Sequence, residues 1–115
     1  MKSLLLLYDD AGAIEALSPD ERRAMVDDHI GYAQMLRERG AYVYGDPLDS
    51  PQTARTIRFD GGTATVTDGP FLESKEALGG FYVLEVASLD DALALAREVP
   101  RSPGLVAELR PIPDF

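Results

Sequence analysis

The amino-acid sequence predicts one α+β domain in which strands alternate with two amphipathic helices. Three observations support this fold class. Ser18 and Ser88 each open a segment with helical spacing of apolar residues, and short apolar runs typical of buried strands lie around these segments. The 115 residues contain no linker, repeat or low-complexity tract, so residues 1–115 form a single domain.

The first predicted element is a strand over the apolar run from Leu4 to Tyr8. Because the run ends at Asp9 and Asp10, it is shorter than the roughly 7–15 apolar residues of a signal peptide and the roughly 20 of a membrane-spanning helix. A short continuous apolar run instead fits a central strand covered on both faces. A loop is predicted from Asp9 to Leu17.

The first helix is predicted to begin at Ser18. The segment Ser18-Pro19-Asp20-Glu21 has a serine at the N-cap, a proline at the first helical position and a glutamate three residues after the cap, which is the capping-box pattern. Gly40 ends the helix. Its predicted buried face consists of apolar residues at helical spacing: Met25, Val26, Ile30, Ala33 and Leu36.

The middle of the chain predicts a short strand, a hairpin and a second apolar strand. The hairpin is indicated by Asp60-Gly61-Gly62, a turn sequence between two runs rich in β-forming residues. The predicted strands cover residues 41–44, 55–60, 63–67 and 81–86.

A second helix begins at Ser88 and is stopped by Pro100, and a last strand covers residues 105–112. The resulting order, β-α-β-(hairpin)-β-α-β, is a ferredoxin-like split βαβ unit with an added β-hairpin. Both helices of such a unit cover the same sheet face, so the other face must be buried against a partner. The sequence therefore predicts a homodimer with two-fold symmetry.

Composition restricts the classes of function. Without cysteine the chain has no disulfide, no thiolate nucleophile and no cysteine-ligated metal, which favours a cytoplasmic protein. The formal net charge of -9 disfavours nucleic acids and anionic membranes as partners, because both bind through clustered positive charge. A single histidine with scattered carboxylates does not predict a specific metal site. The sequence also lacks the glycine-rich fingerprints of cofactor sites, so no cofactor is predicted.

Three stretches of the sequence resemble one protein family. The longest runs from Thr67 to Glu76 (TDGPFLESKE) and continues as LGGFY at 78–82; the others are LSPDE at 17–21 and ELRPI at 108–112. On these motifs the chain resembles the DGPF branch of the YCII-related family over essentially its whole length. The resemblance implies a dimeric α/β barrel. Many such proteins are bacterial, some are linked to alternative sigma factors, and YCII-type relatives are suggested to be enzymes that use a His–Asp pair.

His29, the sole histidine, is the first candidate for a functional site. The resemblance places it where YCII relatives carry theirs, and a half-buried imidazole beside a carboxylate can act as a general acid or base near neutral pH. The predicted partner is Asp68, with Asp46 as the alternative. In a purely structural interpretation, His29 lies at the edge of the core and bonds a backbone carbonyl.

The segment that begins with Asp68 also has two interpretations. As a turn, Asp68 accepts a backbone N–H, Gly69 takes a positive φ, and Phe71 fills the core or the dimer seam. As a binding loop, the segment forms one wall of a pocket close to the dimer seam, with one pocket in each subunit. The candidate ligand-binding residues are Asp46, Arg58, Phe71, Glu73, Ser74 and Lys75.

Two functions are compatible with these residues. The favoured one is a dimeric small-ligand-binding or regulatory protein. The alternative is a small-molecule enzyme in which His29 transfers a proton and Asp68 orients or charges it, while Lys75 or Arg58 binds an anionic group of the ligand.

Overall fold

A computed structural model describes residues Met1–Phe115 and contains a four-stranded antiparallel sheet, a separate hairpin and three α-helices. The elements are β1 (Lys2–Asp10), α1 (Ala11–Glu15), α2 (Pro19–Glu38), β2 (Tyr42–Pro47), β3 (Arg55–Asp60), β4 (Thr63–Asp68), β5 (Glu76–Glu85), α3 (Leu89–Ala96) and β6 (Val106–Ile112), with a 3₁₀ turn at Pro51–Thr53. The main sheet has the strand order β2-β5-β1-β6. The predicted α+β class and ferredoxin-like element order are confirmed.

The hydrophobic core lies between one face of the main sheet and the two longer helices. β1 pairs with β5 and β6, so that Leu5 lies opposite Tyr82 and Leu109. Alternate side chains of a strand point to the same face, and Leu5 is fully buried together with Leu84 of β5 and Leu36 of α2. α2 and α3 therefore cover the same face, and the opposite face has no covering element.

The predicted helix starts are confirmed in atomic detail. The Ser18 hydroxyl accepts a hydrogen bond from the Glu21 N–H at 3.1 Å, and the Glu21 carboxylate accepts one from the Ser18 N–H at 2.9 Å. Ser88 also caps its helix, α3: its hydroxyl accepts a hydrogen bond from the Asp91 N–H at 3.2 Å. Gly40, with a φ of 70°, ends α2 because a left-handed residue cannot continue the helix.

Several boundaries differ from the prediction. Residues 9–17, predicted as a loop, contain the short helix α1, whose first turn is capped by the Asp10 carboxylate through the Ala13 N–H at 3.1 Å. β5 begins at Glu76 rather than at residue 81, because β1 continues to Asp10 and pairs with the added residues. α3 ends at Ala96, before Pro100 is reached.

The apolar face of α2 is divided between the core and a cavity. Leu36 is fully buried, as predicted, whereas Val26 and Ile30 expose 54% and 59% of their surface. Three glycines of β2 and β5 border the space under the middle and the second half of the helix: Gly45, Gly79 and Gly80. Because glycines have no side chains to fill that space, the helix and the sheet remain separated there.

The hairpin of β3 and β4 is confirmed and stands apart from the main sheet. Its two strands pair only with each other, and Gly61 makes the turn with a φ of 60°. At the base, the Gly69 N–H donates to the Ala54 carbonyl at 2.8 Å, and the Thr56 hydroxyl donates to the Gly69 carbonyl at 2.7 Å. These bonds close the base of the hairpin. No helix of the chain is long and apolar enough to cross a membrane.

Candidate functional site

The space left under the middle and the second half of α2 is a cavity of about 320 Å³, hereafter the His29 cavity. It lies between α2 and the ends of β1, β2 and β5, and it opens to solvent beside Val26 and Ile30. Most of its lining is apolar or backbone. The polar and charged side chains among the lining residues are Asp9, His29, Arg37, Tyr42, Asp46, Tyr82 and Ser102.

His29 is held in place by Tyr82 of β5. The Nδ1 atom of His29 and the Tyr82 hydroxyl are 2.7 Å apart, and the two rings are within 17° of parallel. Tyr82 is fixed in turn by an edge-on contact with Tyr32, whose hydroxyl donates to the Leu95 carbonyl at 2.7 Å. A chain of buried aromatic contacts therefore determines the orientation of the imidazole.

Gly45 makes room for this arrangement. In the sheet it lies opposite Tyr82, and a Cβ atom at Gly45 would lie 2.5 Å from the Cδ1 atom of the tyrosine ring. Such a distance is far below van der Waals contact, so a larger residue would displace Tyr82 and, with it, His29.

The cavity favours the uncharged forms of its polar groups. Burial lowers the pKa of His29 below its ordinary value, although the charge of Asp28 partly opposes this shift. Burial also raises the pKa of Tyr82 to about 12, with a further contribution from Tyr42. At neutral pH the pair therefore shares one hydrogen bond between neutral groups, and when Tyr82 donates it, the imidazole proton lies on Nε2.

Asp9 is the carboxylate that the structure places in the same cavity as His29. It continues the inward-facing series of Leu5 and Leu7 on β1, and its oxygens lie where a side chain on Gly79 would otherwise be, 2.9 Å from a Cβ built there. Burial, helped by the neighbouring charge of Asp10, raises the pKa of Asp9. Asp9 is not among the site residues predicted from the sequence, although the alternation of β1 points to it.

Asp46, the alternative partner of His29, borders the cavity but directs its carboxylate elsewhere. The carboxylate accepts a hydrogen bond from the Tyr44 hydroxyl, and the Tyr44 ring lies 6.0 Å from that of Phe81. Tyr44 and Asp46 share one face of β2, while Gly45 between them faces Tyr82. The Asp46 carboxylate therefore points toward the uncovered face of the sheet.

Within one chain, the structure does not bring Asp68 to His29. The Asp68 side chain is 90% exposed at the base of the hairpin and forms an ion pair with the Arg55 Nε atom at 3.2 Å. Arg55 is its cross-strand partner, and this pair takes the place of the predicted bond to a backbone N–H. Gly69 has a φ of 95°, so the predicted positive φ is confirmed. Within one chain His29 shares its cavity with Asp9 instead, and the pairing of His29 with Asp68 stays a prediction.

The other candidate residues lie in or beside the segment that links β4 to β5, which we call the DGPF loop (residues 68–75), and none of them lines the cavity. The Arg58 guanidinium lies 5.6 Å from the centre of the Phe71 ring. The Lys75 Nζ atom is 3.6 Å from the Asp10 carboxylate. Ser74 donates a hydrogen bond to the Glu76 carbonyl, and Glu73 is exposed.

No cluster of three or more histidine and carboxylate side chains is placed to hold a metal ion. What the arrangement offers chemically is an apolar cavity with a neutral imidazole, a phenol and a carboxyl group. Arg37 is the only permanent cation in the lining, and its guanidinium lies 4.3 Å from the centre of the Tyr42 ring.

The fold and the cavity define a small α+β domain with a mostly apolar pocket, containing a few polar groups, under its longest helix. The sequence model of the YCII-related domain matches residues 1–115, and the chain therefore belongs to the YCII-related domain family. It is also similar to an uncharacterized protein of Rhizobium meliloti (strain 1021), with 36% identity over 95 residues, covering 83% of this chain and 77% of that protein.

Proposed function

We propose that the chain is a dimeric protein that binds a small molecule in the His29 cavity. The supporting observation is the convergence of His29, Tyr82 and Asp9 in one otherwise apolar space. Its volume of about 320 Å³ lies in the range of roughly 300–1,000 Å³ that is common for small-molecule sites. Convergent polar groups with shifted pKa values in such a space are typical of binding and catalytic sites.

The lining indicates the chemical class of the ligand. An apolar body fits against Met25 and Ala33 of α2, and one polar group of the ligand would meet His29 and Tyr82. An anionic group would lie at the mouth, beside Arg37, rather than beside Lys75 or Arg58. We therefore expect a small, mostly apolar molecule whose negative charge, where it has one, stays close to solvent.

A thermal-shift screen of small organic acids and their neutral amides tests this proposal. Compounds that stabilise the wild type should lose most of that effect in His29→Ala, because the substitution removes the central polar group of the cavity. Asp27→Ala, on the exposed face of the same helix, is the matched control and should behave as the wild type. Hits that stabilise wild type and His29→Ala equally would show that they bind elsewhere.

A second candidate function is proton transfer, since Asp9 supplies a carboxyl group with a raised pKa in the same cavity as a neutral imidazole. His29 would accept or donate the proton, and Asp9 would stabilise its charged form. NMR titration of the single imidazole tests their communication. Asp9→Asn should lower the pKa of His29 by removing a nearby negative charge, while Asp68→Asn should leave the curve unchanged. Identical curves for wild type and Asp9→Asn would remove the acid–base candidate and leave the binding proposal intact.

The homodimer forms, in this proposal, through the uncovered face of the main sheet. That face carries Leu4, Leu6 and Val83 at alternating positions of neighbouring strands, and no helix of the chain protects them. A second copy related by a two-fold axis presents the same surface, and the two apolar faces would be buried against each other. The motif at residues 67–82 supports a place in the DGPF branch, and the link to alternative sigma factors that this resemblance implies favours a regulatory role for the ligand.

A further inference from the structure

The single chain exposes more surface than its mass requires. Its accessible surface is 7726 Å², whereas a compact monomer of 12.5 kDa exposes about 6,200 Å². Besides this excess of about 1,500 Å², the chain is more extended than a compact domain. The radius of gyration is 16.0 Å, against about 13 Å for a compact chain of this length. The molecule is 45 × 44 Å across and only 18 Å thick.

The hairpin of β3 and β4 forms a separate two-stranded sheet, and it is strongly two-sided. Ile57 pairs with Val66, and Phe59 with Ala64, on one face. The three larger side chains of that face, Ile57, Phe59 and Val66, expose 52%, 77% and 60% of their surface. The opposite face carries threonines and Arg58, which lies beside Phe71 of the DGPF loop. The alternation thus separates a polar face from an apolar one that no part of the chain covers.

Such a hairpin is incomplete as an isolated element. A two-stranded hairpin is at best marginally stable in water unless a third strand or a helix packs on it. An uncovered apolar face is also a site of aggregation. The base of this hairpin is nevertheless fixed by the bonds from Gly69 and Thr56, and by the Ser50 hydroxyl, which donates to the Glu15 carboxylate at 2.9 Å. The element stands apart from the main sheet and is not folded onto its own chain.

We propose that the apolar face of the hairpin packs against a second copy of the chain and acts as the arm of the homodimer. The area fits this occupant: two chains with an excess of about 1,500 Å² each would bury about 3,000 Å² together, which is typical of an obligate homodimer and well above a transient contact. The location also fits. The hairpin is connected to β2 and β5, the strands that carry Tyr44, Phe81 and Val83 on the uncovered face.

This inference extends the proposed dimer and is independent of the ligand in the His29 cavity. Neighbouring residues of β4 provide matched variants, because Val66 lies on the apolar face and Thr65 on the polar one. Val66→Asp should raise the dissociation constant of the dimer at least ~10-fold, a change of about 1.4 kcal/mol. Thr65→Asp should change it less than ~2-fold. Sedimentation over a dilution series measures both constants.

A second measurement does not depend on the tolerance of the hairpin for aspartate. Since the chain has no cysteine, Phe59→Cys and Thr65→Cys each introduce a single thiol. Reaction with a maleimide should be at least ~10-fold slower at Phe59→Cys than at Thr65→Cys in concentrated protein, and the difference should disappear on dilution to monomer. Equal rates at every concentration, a monomeric wild type, or equal weakening by Val66→Asp and Thr65→Asp would each overturn the proposal. Protection of Phe59→Cys that needs an added ligand or another protein would assign the face to that partner instead.

Ligand binding in the His29 cavity can be measured independently in the same samples. Compounds that bind the cavity perturb the imidazole of His29, whether or not the hairpin variants dimerise. Failure of the arm and failure of the ligand site are therefore distinguishable.

Discussion

The His29 cavity and the DGPF loop hold their polar residues in opposite ways. In the cavity, His29, Tyr82 and Asp9 are partly withdrawn from water. Burial shifts the pKa of each group in the direction that favours its neutral form. At the loop, Asp68 and Lys75 remain 90% and 81% exposed and pair with opposite charges. Exposed pairs are screened and contribute little, whereas buried groups respond strongly to a ligand or a proton. Chemical activity is therefore expected at the cavity.

The difference also explains what the conspicuous Asp-Gly-Pro motif does within one chain. Gly69 has a φ of 95°, which residues with a side chain rarely adopt, and its N–H and carbonyl both close the base of the hairpin. The motif therefore ends the hairpin and turns the chain toward β5. Within one chain its glycine serves backbone geometry, and the binding role of the side chains of the loop stays a prediction.

The largest expected difference between the two regions concerns two glycines. Gly45→Ala should destabilise the protein by about 3 kcal/mol, because the added methyl group overlaps the Tyr82 ring and the Phe81 carbonyl. Gly62→Ala in the hairpin should change the free energy of unfolding by less than ~0.5 kcal/mol, since its Cβ would meet nothing within 4 Å. Urea denaturation measures both. Equal effects would mean that the sheet near Tyr82 relaxes more easily than the geometry indicates.

The order of elements was accessible from sequence because local signals determine it. The serine caps, the Gly40 stop and the hairpin turn each act over a few residues, and all of them are present as predicted. The cavity was not accessible, because it depends on which residues of different strands meet. Val26 and Leu36 belong to the same apolar periodicity of α2, so the sequence does not distinguish them. Leu36 lies in the core, whereas Val26 borders a cavity that is lined on the sheet side by glycines.

The position of the catalytic candidate carboxylate illustrates the same limit. Asp9 ends an apolar run and looks like the boundary of a strand, whereas Asp68 opens a long motif. Only the pairing of β1 with β5, including the irregularity between Leu7 and Tyr8, brings Asp9 beside Gly79 and into the cavity. The inward alternation of β1 was the one local signal for it.

A smaller effect is expected from removing one hydroxyl in each environment. Tyr82→Phe should destabilise the protein by about 1–2 kcal/mol, because it leaves Nδ1 of the half-buried His29 without its partner. Tyr44→Phe removes a hydroxyl from a residue that is 53% exposed, where water replaces the bond, and should cost less than ~0.5 kcal/mol. Thermal unfolding monitored by circular dichroism compares the two. Similar losses would contradict the view that the cavity is withdrawn from water.

The pH dependence of stability tests the burial of His29 directly. Because burial lowers the pKa of His29, the unfolded chain takes up the proton first, near pH 6.5, and folding is disfavoured as the pH falls further. The free energy of unfolding should therefore decline below pH 6.5 until the folded-state pKa is passed. His29→Gln should remove this component of the decline, and Asp27→Asn should not. A His29→Gln profile that is parallel to the wild type across this range would show that the imidazole is solvated.

The smallest expected difference separates the two carboxylates. The pKa of Asp9 is raised above 3.8 in the folded protein, so the folded state prefers the protonated form. Stability linked to Asp9 is thus full at low pH and is lost as the pH rises through 3.8 to the folded-state pKa. Asp9→Asn should therefore raise the free energy of unfolding at neutral pH, and the gain should vanish in acid. Asp68→Asn removes only an exposed pair with Arg55, so it should lower stability by at most about 0.5 kcal/mol, with that loss decreasing at high salt. Urea denaturation at neutral and acidic pH measures both; stabilisation by Asp68→Asn, or a loss of stability in Asp9→Asn at neutral pH, would reverse the assignment of the two environments.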